Sequence, residues 1–124
     1  AKMQEATLSC VSAPAQYAAL AAVQGSQEAI DLARGVYRTR RDEACRVLDR
    51  YGVRYLRPEG AFYLWVDVAD RADAVADYAA QAVLEKQVAV APGSAFGESG
   101  EGSIRLSRAT ETEDLLEGLN RLFG

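Results

Sequence analysis

The chain has 124 residues, of which 49% are hydrophobic and 26% are charged. These values are typical of one globular domain that is large enough to bury a core without disulfide bonds or a metal ion. The formal net charge is −4 and the sequence has no long run of charges of one sign, which argues against nucleic acid as a partner. There is no histidine, and the two cysteines, Cys10 and Cys45, are far apart in the sequence. Neither a metal site nor a cysteine–histidine nucleophile is therefore predicted.

The N-terminal stretch AKMQEATLSC has no apolar leader segment. The alanine-rich segment that follows, APAQYAALAAVQ, is too short and too polar to span a bilayer. The sequence therefore predicts a soluble, cytoplasmic protein without a membrane partner. Because Ala1 opens no recognisable element and is not an initiator methionine, we expect the chain to be part of a longer protein.

Two helices are predicted in the first half of the chain. Pro14 suits the first turn of a helix that ends at Gln24. Ser26 can cap a second helix, whose apolar residues keep a helical period until Gly52 stops it. A helix of about 25 residues is long for a domain of this size and is typical of a connection between two domains. Its basic cluster RTRR is followed at once by two acidic residues and indicates a solvated face.

The second half predicts three strands and two helices. The strands are residues 61–68, which alternate between two faces, the apolar run QVAVAPG, and SIRLSRA. The first of these helices is capped by Asp70 and runs to about Lys86. The second begins at a capping box formed by Thr110 and Glu113. The predicted fold is α+β, with a small mixed three-stranded sheet covered by helices and a long helix of the interdomain type.

The third predicted strand carries an arginine between two apolar residues. Ile104 and Leu106 point to one face of the strand, so Arg105 points to the other. An arginine fixed on a strand suits a carboxylate ligand, because its planar fork donates two parallel hydrogen bonds. An ion pair with a glutamate of the same domain is the alternative, and periodicity leaves both open.

The glycine-rich loop GSAFGESGEG invites a phosphate-binding interpretation, but it matches none of the known phosphate-binding patterns. It carries Glu98 and Glu101 where a phosphate would require lysine, so we predict a tight surface turn. Tyr63 and Trp65 share one face of the first predicted strand, where they could line a pocket. We interpret them as packing residues.

Three segments, in this order and at these spacings, resemble the C-terminal part of class I/II aminotransferases, the pyridoxal-phosphate enzymes of fold type I. They are PEGAFYLWVDV, VAVAPGSAFG and IRLSRAT. APAQYAALAAVQG is similar to the segment that closes the large domain of these enzymes, and RRD to part of their interdomain helix. The resemblance implies that residues 1–25 are the tail of the large cofactor-binding domain. Residues 26–124 would then form the C-terminal small domain, with a connecting helix over residues 26–51.

The resemblance also implies roles for individual residues. Arg105 stands where the family's motif I-R-[LI]-S places the arginine that binds the substrate α-carboxylate. Ser94 and Phe96 lie in a loop that borders the active-site mouth in the family, which makes them secondary substrate-binding candidates. The intact protein is expected to transfer an amino group between an amino acid and a 2-oxo acid with pyridoxal phosphate, and to act as a homodimer.

The covalent lysine of the family belongs to an S-x-[ST]-K segment that this chain does not contain. Lys2 lies in AKMQEAT and does not match that segment. No catalytic or cofactor-binding residue is therefore assigned within the chain, and the chain alone is expected to be inactive.

Two alternatives to an aminotransferase stay open at the level of sequence. A carbon–sulfur lyase of the same fold would share this C-terminal pattern and differ upstream. A non-enzymatic sensor or interaction domain derived from aminotransferases would also carry it.

Overall fold

The computed structural model describes residues 10–71 and 74–124, and the chain divides into two compact units between Ala33 and Arg34. The first unit contains helix α1, Ala13–Gln24, and the start of helix α2, Glu28–Arg50. As predicted, Pro14 lies in the first turn of α1. α2 begins two residues after Ser26, whose hydroxyl accepts a hydrogen bond from the Glu28 N–H at 3.3 Å.

The second unit contains one sheet, two further helices and two short 3₁₀ turns. The strands are β1 (Tyr55–Leu56), β2 (Tyr63–Asp67), β3 (Ala91–Pro92) and β4 (Ser103–Ser107), and the helices are α3 (Val75–Lys86) and α4 (Thr112–Phe123). The 3₁₀ turns, Gly93–Phe96 and Glu98–Gly100, connect β3 to β4. The α+β class and the long helix α2 are therefore confirmed.

The sheet has four strands in the order β1-β2-β4-β3, and each neighbouring pair is antiparallel. The predicted mixed, three-stranded sheet is therefore wrong in strand number and in its expected parallel pair, whereas the predicted antiparallel return of the last strand is observed. β4 lies between β2 and β3, so the two strands that flank the crossover helix α3 never pair with each other. β1 was missed because two residues are too few to display an alternating pattern.

One face of the sheet forms the core of the second unit. Leu64 and Val66 of β2 and Ile104 and Leu106 of β4 point to this face and are buried. The helices contribute Ala44, Cys45, Val47, Leu48, Val75, Ala82, Leu115, Leu119, Leu122 and Phe123, and the loop residues Val53 and Val68 complete the cluster. Because alternate residues of a strand point to opposite faces, burial of this face directs Arg105 to the other one.

Two predicted helix caps do not form, and ion pairs engage Asp70 and part of the predicted solvated surface. α3 begins at Val75, and Asp70 instead accepts a bond from Arg54 at 2.9 Å. α4 begins at Thr112 without a side-chain cap, so the box at Thr110 does not form. Arg40 of the basic cluster is only 12% exposed and donates to Glu111, beside the start of α4, at 2.9 Å.

None of the helices within the described residues combines the length and the apolar character that crossing a bilayer requires. Cys10 is an exposed thiol and Cys45 a buried one, and neither is in a disulfide.

Two glycines bring the backbone of the β3–β4 connection into direct contact with itself. A Cβ atom on Gly93 would overlap the carbonyl oxygen of Gly100, and a Cβ on Gly100 would overlap that of Gly93. Both residues are buried. This contact closes the loop that carries Phe96, so it fixes where that ring lies relative to β4.

Replacing Gly93 by alanine should therefore destabilise the fold, by roughly 1–3 kcal/mol in the free energy of unfolding. Gly35→Ala is the matched control, because Gly35 lies inside α2 with open space around its Cβ position. That change should stabilise the helix by roughly 0.5–1 kcal/mol. Chemical denaturation of the three chains measures both effects. A Gly93→Ala chain as stable as the original would contradict the close contact.

A second prediction concerns Asp67, the last residue of β2. Its carboxylate accepts hydrogen bonds from the Ala69 N–H and from Arg54 Nε, each at 3.0 Å. The Ala69 bond, followed by the Arg54 contacts, lowers the pKa of Asp67 below its ordinary value of 3.8. The stabilisation is therefore complete above that value and is lost as the pH falls through the lowered, folded-state pKa.

Asp67→Asn should lower the free energy of unfolding at pH 7 and make it fall less steeply between about pH 5 and pH 2. Denaturation curves across this range, for both chains, measure the slope. If the free energy of unfolding of the Asp67→Asn chain falls as steeply with pH as that of the original, other carboxylates are responsible for the acid sensitivity.

Candidate functional site

The candidate site lies on the face of the sheet opposite the core. In the antiparallel register of β2 and β4, Trp65 lies directly opposite Arg105, and Tyr63 lies opposite Ser107. On the other side of β4, Ala91 of β3 lies opposite Arg105. Arg105 thus sits on the central strand with a neighbour on each side, and its side chain is half-buried.

The guanidinium group of Arg105 lies over two aromatic rings. Its Cζ atom is 4.1 Å from the centroid of the Tyr63 ring and 4.1 Å from that of the Phe96 ring. One ring belongs to β2 and the other to the loop between β3 and β4. We call these three residues the arginine clamp. Each cation–π contact holds the long side chain in place and restricts the directions from which an anion can approach it.

Arg105 has no carboxylate partner among residues 10–71 and 74–124. Asp67 is the acidic residue on the same face of β2, but it pairs with Arg54. The alternative of an ion pair within the domain is therefore not realised in the described part of the chain. A half-buried guanidinium that keeps its donors free is suited to an anionic ligand.

Phe96 reaches Arg105 from the loop between β3 and β4. It ends the 3₁₀ turn Gly93–Phe96, and Gly97 follows with a φ of +121°, a backbone conformation that glycine adopts without strain. Phe96 is 48% exposed and meets Trp65 edge-on, with centroids 5.8 Å apart. Ser94 lies in the same turn, and its carbonyl accepts the Gly97 N–H. The structure therefore brings Phe96 to Arg105, while Ser94 makes no described contact with the clamp.

A series of ring contacts leads from the clamp to helix α2. The Tyr63 ring lies 4.4 Å from the Phe62 ring, and the Phe62 ring lies 6.0 Å from the Tyr37 ring. Tyr37 belongs to α2. We call Tyr37, Phe62 and Tyr63 the aromatic series. It connects the strand that bears Tyr63 to the long helix through packed side chains.

Arg108 anchors the backbone that carries this series. Its guanidinium donates to the carbonyl oxygens of Tyr37 at 2.7 Å and Ala61 at 2.9 Å. The backbone N–H of Arg108 donates to the Phe62 carbonyl at 2.7 Å. Burial, followed by repulsion from Arg41, lowers the pKa of Arg108.

The sequence predicted binding roles for Arg105 and Phe96, whereas Tyr63 was interpreted as a packing residue and Arg108 was not considered. The signal for Arg108 was present, since it continues the alternation of Ile104 and Leu106 and so places a charge on the core-facing side. Tyr63 carried no such signal, because only the pairing of β2 with β4 places its ring against Arg105.

The family described as aminotransferase class I and II matches residues 1–122 of the chain. The aspartate aminotransferase of Thermotoga maritima is 39% identical over 121 residues, which are 98% of this chain and 30% of that protein. The LL-diaminopimelate aminotransferase of Desulforudis audaxviator is 40% identical over 110 residues, 88% of this chain and 28% of that protein.

The crystal structure of an aromatic aminotransferase from Pyrococcus horikoshii superposes with a TM-score of 0.89 at 34% identity, covering 98% of this chain and 33% of that one. The chain thus spans about a third of the length of the curated relatives that it matches. The match over nearly all of its residues shows that this chain belongs to the class I and II aminotransferases.

Proposed function

We propose that this chain is the C-terminal domain of an amino-acid aminotransferase, which transfers an amino group between an amino acid and a 2-oxo acid. In this proposal residues 1–25 are the tail of the large domain and residues 26–124 form the small domain. The division of the chain into two compact units supports a separate N-terminal part in general, with the boundary after Ala33 rather than after Gly25. The names of the relatives support amino-group transfer in general.

The observation that carries the proposal is the arginine clamp. Arg105 contacts two rings, each with its centroid 4.1 Å from Cζ, and has no carboxylate partner among the described residues. A substrate carboxylate would supply the missing anion through two parallel hydrogen bonds. Amino acids and 2-oxo acids both carry this group, so one site would serve both substrates of the reaction.

The clamp would contribute to the reaction by positioning rather than by proton transfer. An arginine keeps its charge at any working pH, so it serves as a fixed anchor for one end of the substrate. Holding that end restricts rotation and presents the α-carbon in one orientation. Phe96, on its glycine-bounded loop, would also shield the ion pair from water, with Ser94 beside it as a second contact.

Membership of the aminotransferase family implies pyridoxal phosphate generally. The described residues do not fit this cofactor. Lys86 is the lysine among them, and its Nζ donates to the Leu122 carbonyl at 2.9 Å. The loop after Phe96 carries two glutamates, which would repel a phosphate group. We therefore place the cofactor in a large domain of the same protein, in a homodimer, and expect no activity from this chain alone.

Arg105→Ala in the full-length protein should raise the KM for the amino acid by at least 30-fold, about 2 kcal/mol or more, because the carboxylate loses its charged partner. Steady-state kinetics with the best amino donor and a 2-oxo acid measure this effect. Arg121→Ala is the matched control, since Arg121 pairs with Glu117 on the surface of α4. An unchanged KM for Arg105→Ala would contradict the assigned role.

The same assays distinguish the reaction type. Release of ammonia without an amino acceptor would indicate a lyase instead of an aminotransferase.

Phe96→Ala should raise the same KM about 2- to 10-fold, because it removes one of the two rings that hold the guanidinium. Tyr63→Phe keeps the other ring and deletes a hydroxyl group only, so its KM should stay within about twofold of the original. Equal KM values for Phe96→Ala and the original protein would show that the Phe96 ring adds nothing to carboxylate binding.

A further inference from the structure

Among the described residues of the second unit, Arg108 is the buried charged residue, and it is 2% exposed. It forms no ion pair with a carboxylate of the described residues. Its Nε atom is buried and has no hydrogen-bond partner in that part of the chain. An apolar side chain of similar volume would fill the same space without the cost of removing a charge from water. Packing alone therefore does not account for an arginine at this position.

The two carbonyl groups that Arg108 binds beside β2 belong to consecutive residues. Its guanidinium binds the Ala61 carbonyl, and its backbone N–H binds the Phe62 carbonyl. Ala61 has a φ of +53°, in the left-handed region that alanine adopts only at a cost. Hydrogen bonds to both sides of the Ala61–Phe62 link hold this turn, and the next residue is Tyr63.

The third carbonyl belongs to Tyr37 on helix α2. Since the Tyr37 ring also stacks on Phe62, Arg108 binds the backbone at both ends of the contact that supports Tyr63. Arg108 directly follows Ser107, the last residue of β4, and is three residues after Arg105. One side chain thus ties the strand of Arg105, the strand of Tyr63 and helix α2 together.

We infer that Arg108 is a positioning residue for the substrate carboxylate. By fixing the turn at Ala61 and Phe62, it sets the Tyr63 ring against Arg105 and so orients the guanidinium. Without it, the turn can relax from its left-handed conformation, the ring shifts, and Arg105 samples orientations that do not match a carboxylate. This inference rests on the proposed role of Arg105.

The test compares Arg108→Met and Arg108→Lys in the full-length protein, by steady-state kinetics with the best amino donor. Met fills the space but donates no hydrogen bond, so the KM should rise about tenfold while kcat stays within about twofold. Lys can still donate to one or more carbonyls, so its KM should rise about threefold. Leu119→Ala removes a buried side chain of α4 and is the control for general destabilisation. The KM of this variant should equal that of the original protein.

A double-mutant cycle distinguishes an effect of Arg108 that acts through Arg105 from an independent effect of Arg108 on substrate binding. If Arg108 acts through Arg105, Arg108→Met should add nothing to the KM of an Arg105→Ala protein. The inference is overturned if the full tenfold effect persists in that background, if Leu119→Ala raises the KM equally, or if folded Arg108→Met has the original KM. Should the Met protein not fold, an original KM for Arg108→Lys would overturn it as well. The proposed function fails separately, through an unchanged KM for Arg105→Ala itself.

Discussion

The placement of β4 at the centre of the sheet is the constraint on which the site depends. Ile104 and Leu106 must both enter the core, so Arg105 between them must leave it. A slip of one residue in the pairing with β2 would bury the guanidinium and expose two apolar side chains, at a cost of several kcal/mol. Burial of the two apolar neighbours therefore fixes the direction of the Arg105 side chain, although that side chain is not part of the core.

Aromatic residues then refine what the sheet establishes. The core face fixes which side Arg105 occupies, and the rings of Tyr63 and Phe96 limit where on that side the guanidinium lies. These two supports come from different sources, since one ring belongs to a paired strand and the other to a loop closed by Gly93 and Gly100. A ligand that binds Arg105 thus meets a group whose conformational entropy has largely been lost already, which favours affinity.

Local patterns of sequence were sufficient for the helices and for the face on which Arg105 lies. The period of α2, the alternation of β2 and β4, and the proline and glycine boundaries each depend on neighbouring residues. Strand order was not predictable in this way, because β4 displaces β3 from β2 through contacts between distant residues. The cap at Asp70 does not form for a similar reason, because Arg54 binds the Asp70 carboxylate. The partners of Arg105 likewise follow from tertiary pairing.

The pairing of β2 with β4 also bears on the order of events during synthesis. The two strands are joined in register from Tyr63 with Ser107 to Asp67 with Ser103, so roughly 40 residues must be made after β2 before it finds its partner. Until then the apolar face of β2 has neither β4 beside it nor α4 below it. A nascent chain therefore holds an exposed strand edge for several seconds at ordinary translation rates, which is a window for chaperone binding or aggregation.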